Sequence, residues 1–239
     1  KSYWSEVFVN CIEPYIKTLR DVNRVINTFQ FRYKILYEET AIEDMVALTT
    51  IEVLEPQLYQ WISRNKDLLC STYFHSFSAL YRNKSDYRTS ICEELKKLGI
   101  NTDIGIKFLS TLFPVFANDI DECDYKYTES NIRETMRVAQ KERFDSYFMF
   151  DLGGIPVSRY IINTYINILP LDDLIDTITK INNNGNIEYF IDELKSLVDT
   201  IPEKRLGLLS SVILNVLHKF SHNSQFFMLS AYTKAEFLV

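Results

Sequence analysis

The chain has 239 residues, of which 46% are hydrophobic, enough for a substantial core in one large domain or two smaller ones. Glycine (6) and proline (6) are scarce beside tyrosine (15) and phenylalanine (16), which disfavours the many tight turns of a sheet protein and favours long helices. The net charge of −6 weighs against nucleic-acid binding, which draws its affinity from basic contacts to phosphate. No run of about 18 apolar residues is present, so no transmembrane helix is expected. The chain opens at Lys1 with no leader-like segment, which predicts a piece of a longer protein. Cys11, Cys70, Cys92 and Cys123 are scattered without a C-x-x-C pair, which fits reduced thiols in the cytoplasm.

Residues 3 to 16 read as a short aromatic-rich helix ending near Pro14. Thr18 and Asp21 have the spacing of a capping box. After them, Val22, Val25, Ile26, Phe29, Tyr33 and Leu36 recur on one helical face. Residues 41 to 54 form the next predicted helix, with Glu43 and Asp44 suiting its positive N-terminus. Pro56 suits a first helical position and opens a helix to about Asn65. Residues 70 to 84 are weakly patterned. Helices are expected over 86–98, stopped by Gly99, and over 102–113, stopped by Pro114. Residues 117–128 read as an acidic irregular stretch. A single helix is predicted from Glu129 to about Phe150, closed by Gly153-Gly154. Four amphipathic helices follow, marked by Val157–Leu169, Leu171–Ile181, Ile187–Val198 and Leu206–Phe220. The turn Asn182–Gly185 and Pro202 separate them. Short connections predict antiparallel neighbours, and no fixed-period repeat is present.

The six glycines cannot form a phosphate-cradling G-x-x-x-x-G-K-[ST] loop. His218 and His222 are i, i+4, but two ligands do not complete a metal site, and His75 is isolated among aromatics. Asp119, Asp121, Glu122 and Asp124 have the beginning of a calcium-loop pattern. Asp124 and Ser130 then stand where the pattern needs Gly and Glu. No metal site and no catalytic residues are therefore assigned. Arg20, Asn23, Arg24 and Asn27 cluster opposite the apolar face of their helix at about 100° per residue. Such a stripe is either solvated or turned toward an anion or a second domain. A basic set of Arg20, Arg24, Arg32 and Lys34 is the one local feature favouring nucleic acid, against the overall acidity.

Two stretches, TLRDVNRVINTFQFRY (Thr18–Tyr33) and EETAIEDMVALTTIEVLEPQLYQWISRNKDLL (Glu38–Leu69), together resemble the segment after the nucleotide-binding core in the KAP family of P-loop NTPases. The family's R-D-x-x-R-x-x-N helix, acid-acid segment and P-x-x-Y-x-x-I-like helix match Arg20–Asn27, Glu43-Asp44 and Pro56–Ile62 in order. RFDSYFMF (Arg143–Phe150) is similar to a later R-F-x-x-Y-F element. The resemblance implies a non-catalytic helical lid and readout region that couples ATP state to partner contacts, in a family that includes phage-defence proteins. ATP and Mg2+ would belong to a P-loop core upstream, which would be this chain's first partner. Arg20 and Arg24 are the residues placed to sense a phosphate, since a guanidinium pairs bidentately with phosphate oxygens. The expected fold is all-α with about ten helices: a lid-like module over residues 1–69 and a helical array over 70–239. Self-association and an unidentified protein partner stay open. The alternative is a stand-alone helical adaptor with no link to nucleotide.

Overall fold

A computed structural model describes residues 2–70, 84–120, 129–149 and 156–219, and every regular element among them is helical. The all-α class is as expected, with more helices than the ten anticipated. The chain parts into two compact units, residues 1–154 and 155–239. The division does not fall at 69/70: residues from 1–69 and from 91–147 share one hydrophobic core.

In the first unit, α1 (Tyr3–Val7) runs on as a π-helical turn over Phe8–Ile12, so the helix ends two residues before Pro14. α2 (Leu19–Leu36) starts with both halves of the capping box: Thr18 Oγ accepts from the Asp21 N–H, and the Asp21 carboxylate accepts from the Thr18 N–H. α3 (Ile42–Leu54) is buried on most sides through Met45, Ala47, Leu48 and Ile51. α4 (Pro56–Arg64) begins at the proline, as its fixed φ and missing N–H favour. α5 (Lys66–Cys70), α6 (Lys84–Lys97) and α7 (Thr102–Leu112) follow. Pro114 both stops α7 and opens α8 (Pro114–Asp119), so part of the stretch read as irregular is helical. Residues 121–128, most of 71–84, and Gly153-Gly154 lie outside the described residues.

The expected single helix over 129–150 is instead three short ones: α9 (Glu129–Glu134), α10 (Lys141–Phe144) and α11 (Ser146–Met149). α9 closes in a Schellman motif, with the Arg137 N–H on the Ile132 carbonyl and the Met136 N–H on the Arg133 carbonyl. Met136 occupies the left-handed position at φ 55°. Gly99 (φ 77°) and Gly185 (φ 75°) fill the same position after α6 and in the Asn182–Gly185 turn, where glycine has no Cβ penalty. Met136→Gly is therefore expected to stabilise the first unit by up to about 1 kcal/mol. An unchanged or lower urea midpoint would show that the Met136 side chain contributes more than its backbone strain costs.

The second unit packs α12 (Arg159–Ile168), α13 (Leu171–Asn183), α14 (Ile187–Leu197) and α15 (Glu203–Val216) around one core that includes Ile162, Ile166, Leu174, Ile178, Phe190, Leu194 and Val212. Arg205 donates to the Ile166 and Leu169 carbonyls at 2.6 and 2.7 Å, satisfying acceptors left over at the end of α12. Buried Arg159 lies 3.2 Å from Glu193 and donates to Ser196 at 2.7 Å.

Candidate functional site

Arg20 and Arg24 stand on the first two turns of α2, both exposed. Arg20 has no hydrogen bond or ion pair to the described residues. Arg24 donates to the Val53 carbonyl at 3.1 Å, capping the last turn of α3. The N-terminus of α2 is not an open anion site. The Asp21 carboxylate accepts from the Lys17 N–H (3.2 Å), the Thr18 N–H (3.0 Å) and the Thr18 hydroxyl (3.0 Å). These bonds hold the Asp21 carboxyl below its ordinary range, the Thr18 hydroxyl first among them.

The lowered carboxyl has a sign in pH. A depressed folded-state value contributes stability above the unfolded value and loses it as pH falls through the folded one. Asp21→Asn is expected to be less stable than the parent chain at neutral pH. The two should converge as the medium is acidified below the ordinary carboxylate range of about 3.9. Parallel melts at pH 7 and pH 3 check this, and a gap as large at pH 3 as at pH 7 would contradict it.

The other candidates do not assemble. His218 lies in a short turn after α15, while His75, His222, Asp121, Glu122, Asp124 and Cys123 fall outside the described residues. Asp119 is buried at the end of α8. Among the described residues no three His, Cys, Asp or Glu side chains are grouped to hold a metal ion. Cys11 and Cys70 are buried free thiols whose pKa is raised by desolvation, which disfavours the nucleophilic thiolate.

Charged side chains meet instead inside the first unit, and the sequence did not show it. Asp44, read as a helix-dipole acid, is fully buried. Its carboxylate accepts from the Tyr3 hydroxyl and from the Val138 N–H (2.8 Å), and lies 3.7 Å from Arg137. Arg137, also buried, donates to the Tyr3 hydroxyl (2.5 Å) and to the Thr111 (2.9 Å) and Leu112 (3.3 Å) carbonyls at the end of α7. Its guanidinium sits 3.8 Å from the centre of the Tyr3 ring. Burial raises the Asp44 carboxyl above its usual range, against the pull of Arg137, Tyr3 and the Val138 N–H.

Two further nodes adjoin it. Arg143 pairs with the Glu39 carboxylate at 2.6 Å and donates to the Glu39 carbonyl at 3.0 Å, both residues buried. Arg32 pairs with Glu52 at 2.8 Å and donates to the Tyr147 carbonyl (2.7 Å) and the Tyr59 hydroxyl. Arg32 therefore does not belong to a basic surface with Arg20, Arg24 and Lys34. The Tyr147 hydroxyl accepts from the Ala41 N–H and donates to the Met136 carbonyl, each at 2.8 Å. Residues 136–147 thus tie α1, the α2–α3 junction and the end of α7 together. These bonds fix the helices they join. Comparison with protein-family models, curated proteins and solved structures finds no match to this chain.

Proposed function

We propose that this chain is the helical readout region of a KAP-type P-loop NTPase, coupling the ATP state of an upstream core to contacts with other proteins in the cytoplasm. Arg20 is the observation that carries the reading: a guanidinium on the first turn of a firmly capped helix, exposed and without a partner among the described residues. It stands in the stretch that resembles the family. Arg20 is assigned the role of reading the phosphate. Arg24, held on the end of α3, is assigned the role of passing a shift of α2 to α3. The rigid core behind them suits transmission, because packed helices respond to a local pull as bodies rather than by deforming.

Arg20→Ala in the protein carrying the upstream core is expected to lower ATP turnover by roughly tenfold or more, the scale of a lost phosphate-pairing arginine, with an unchanged helical spectrum. Unchanged turnover would remove Arg20 from the mechanism. A specific observation also favours the adaptor reading: the exposed large apolar side chains of the first unit's described residues all lie between Trp4 and Ile42. In that case turnover would be insensitive to Arg20 and partner binding alone would define the activity.

A further inference from the structure

One buried side chain of α2 reaches three other helices. Arg32 stands about 18 Å along the helix axis from Arg20, at 1.5 Å per residue, and is 1% exposed. Its Nε lies 2.8 Å from the Glu52 carboxylate on α3. One Nη donates to the Tyr147 carbonyl of α11 at 2.7 Å, and the other donates to the Tyr59 hydroxyl of α4. The guanidinium also lies 5.3 Å from the centre of the Tyr59 ring. A planar cation with its N–H groups in fixed directions suits such a three-way junction, and the compact ammonium of a lysine does not.

The junction continues as a run of rings. Tyr59 packs on Phe148 at 5.2 Å between centres, Phe148 on Phe144 at 4.7 Å, and Phe144 on Phe113 at 6.2 Å. Phe144 and Phe113 are fully buried. The run joins α4, α11 and α10 to the residue that follows α7. A movement of α2 that left Glu52, Tyr59 and Tyr147 behind would strand a buried charge, which favours their helices following the guanidinium. Close-packed rings hand on such a displacement, because a packed interior shifts between discrete arrangements instead of stretching.

We propose that Arg32 is a positioning residue that couples α2 to α4 and α11, passing a nucleotide-driven shift of α2 toward the end of α7 through Tyr59, Phe148, Phe144 and Phe113. This coupling rests on the readout role assigned to Arg20. It supplies a route by which the phosphate signal leaves α2 at the end opposite the Arg24–Val53 contact.

The test is hydrogen exchange with and without Mg-ATP, on the protein that includes the upstream core, followed in peptides covering α2, α4 and residues 141–148. The expected result is that Mg-ATP changes exchange in all three. Tyr59→Phe keeps the ring and removes the hydroxyl, so the α4 response should be lost while α2 and ATP turnover are unaffected. Arg32→Lys should lose the response in α4 and in residues 141–148 together, with the α2 response kept. Should Arg32→Lys disturb folding, Tyr59→Phe carries the test. A merely structural role would not separate the α4 response from that of α2. Responses in α4 and residues 141–148 that survive both substitutions overturn the coupling and leave the readout role of Arg20 standing. So does an Mg-ATP response confined to α2. Arg20→Ala, run beside them, should abolish every response and lower turnover. Responses and turnover that are untouched by Arg20→Ala would overturn the readout role itself, and the coupling with it.

Discussion

Arg143→Met is expected to destabilise the first unit by about 3–5 kcal/mol, because it takes from the buried Glu39 carboxylate the cation that lies 2.6 Å from it. Both side chains are almost wholly buried at a separation of 2.6 Å. The Glu39 carbonyl loses its Arg143 donor too. Removing one member of such a pair costs far more than the pair contributes, since desolvating two charges consumes most of their attraction. It follows that Arg143→Met with Glu39→Leu should recover most of the loss. Trp4 and Trp61 are the chain's only tryptophans and both lie in the first unit, so their fluorescence during urea unfolding reports on that unit. A single substitution costing under about 1 kcal/mol would mean that water reaches the pair and the node is not a buried one.

Arg137→Met is the second large effect, again about 3–5 kcal/mol, and it carries a pH signature. The substitution strips Asp44 of its cation and leaves the Tyr3 hydroxyl and the Thr111 and Leu112 carbonyls one donor short. Burial already raises the Asp44 carboxyl, and loss of Arg137 raises it further. A raised folded-state value contributes stability that is complete below the unfolded value, about 3.9, and is lost as pH rises through the folded value. The Arg137→Met penalty should therefore be smaller near pH 4 than at pH 7. A penalty that is flat across that range would show that Asp44 keeps its charge without Arg137.

Features set by neighbouring residues were legible in the sequence. The Thr18–Asp21 box, the helix start at Pro56 and the stops at Gly99 and Gly185 need only local chemistry, and each is present. Pro114 was read only as a stop, because a proline that ends one helix can be the first residue of the next. The break within residues 129–149 was not legible, since what ends α9 is a methionine in a left-handed conformation. Beyond it, backbone groups turn to distant partners, Val138 to Asp44 and Met136 to Ala41 and Tyr147. Arg32 read as part of a basic surface set, and nothing in the sequence marked Arg137 or Arg143 as buried, because burial of an arginine is decided by acids and carbonyls far along the chain. A signal did exist: Arg32 falls on the same helical face as buried Val25 and Leu36. Arg20 and Arg24 look alike in the sequence, and only the fold shows that Arg24 sits on the end of α3 while Arg20 has no partner among the described residues. The placement of a boundary at 69/70 followed the limit of the family resemblance, whereas the shared core carries the first unit on to residue 154.

The most direct test of the readout role is a calorimetric titration of Mg-ATP into the 239-residue chain and, separately, into the protein that includes the upstream core. The predicted result is heat of binding only when the core is present. Binding by the 239-residue chain alone, or by neither protein, would contradict it.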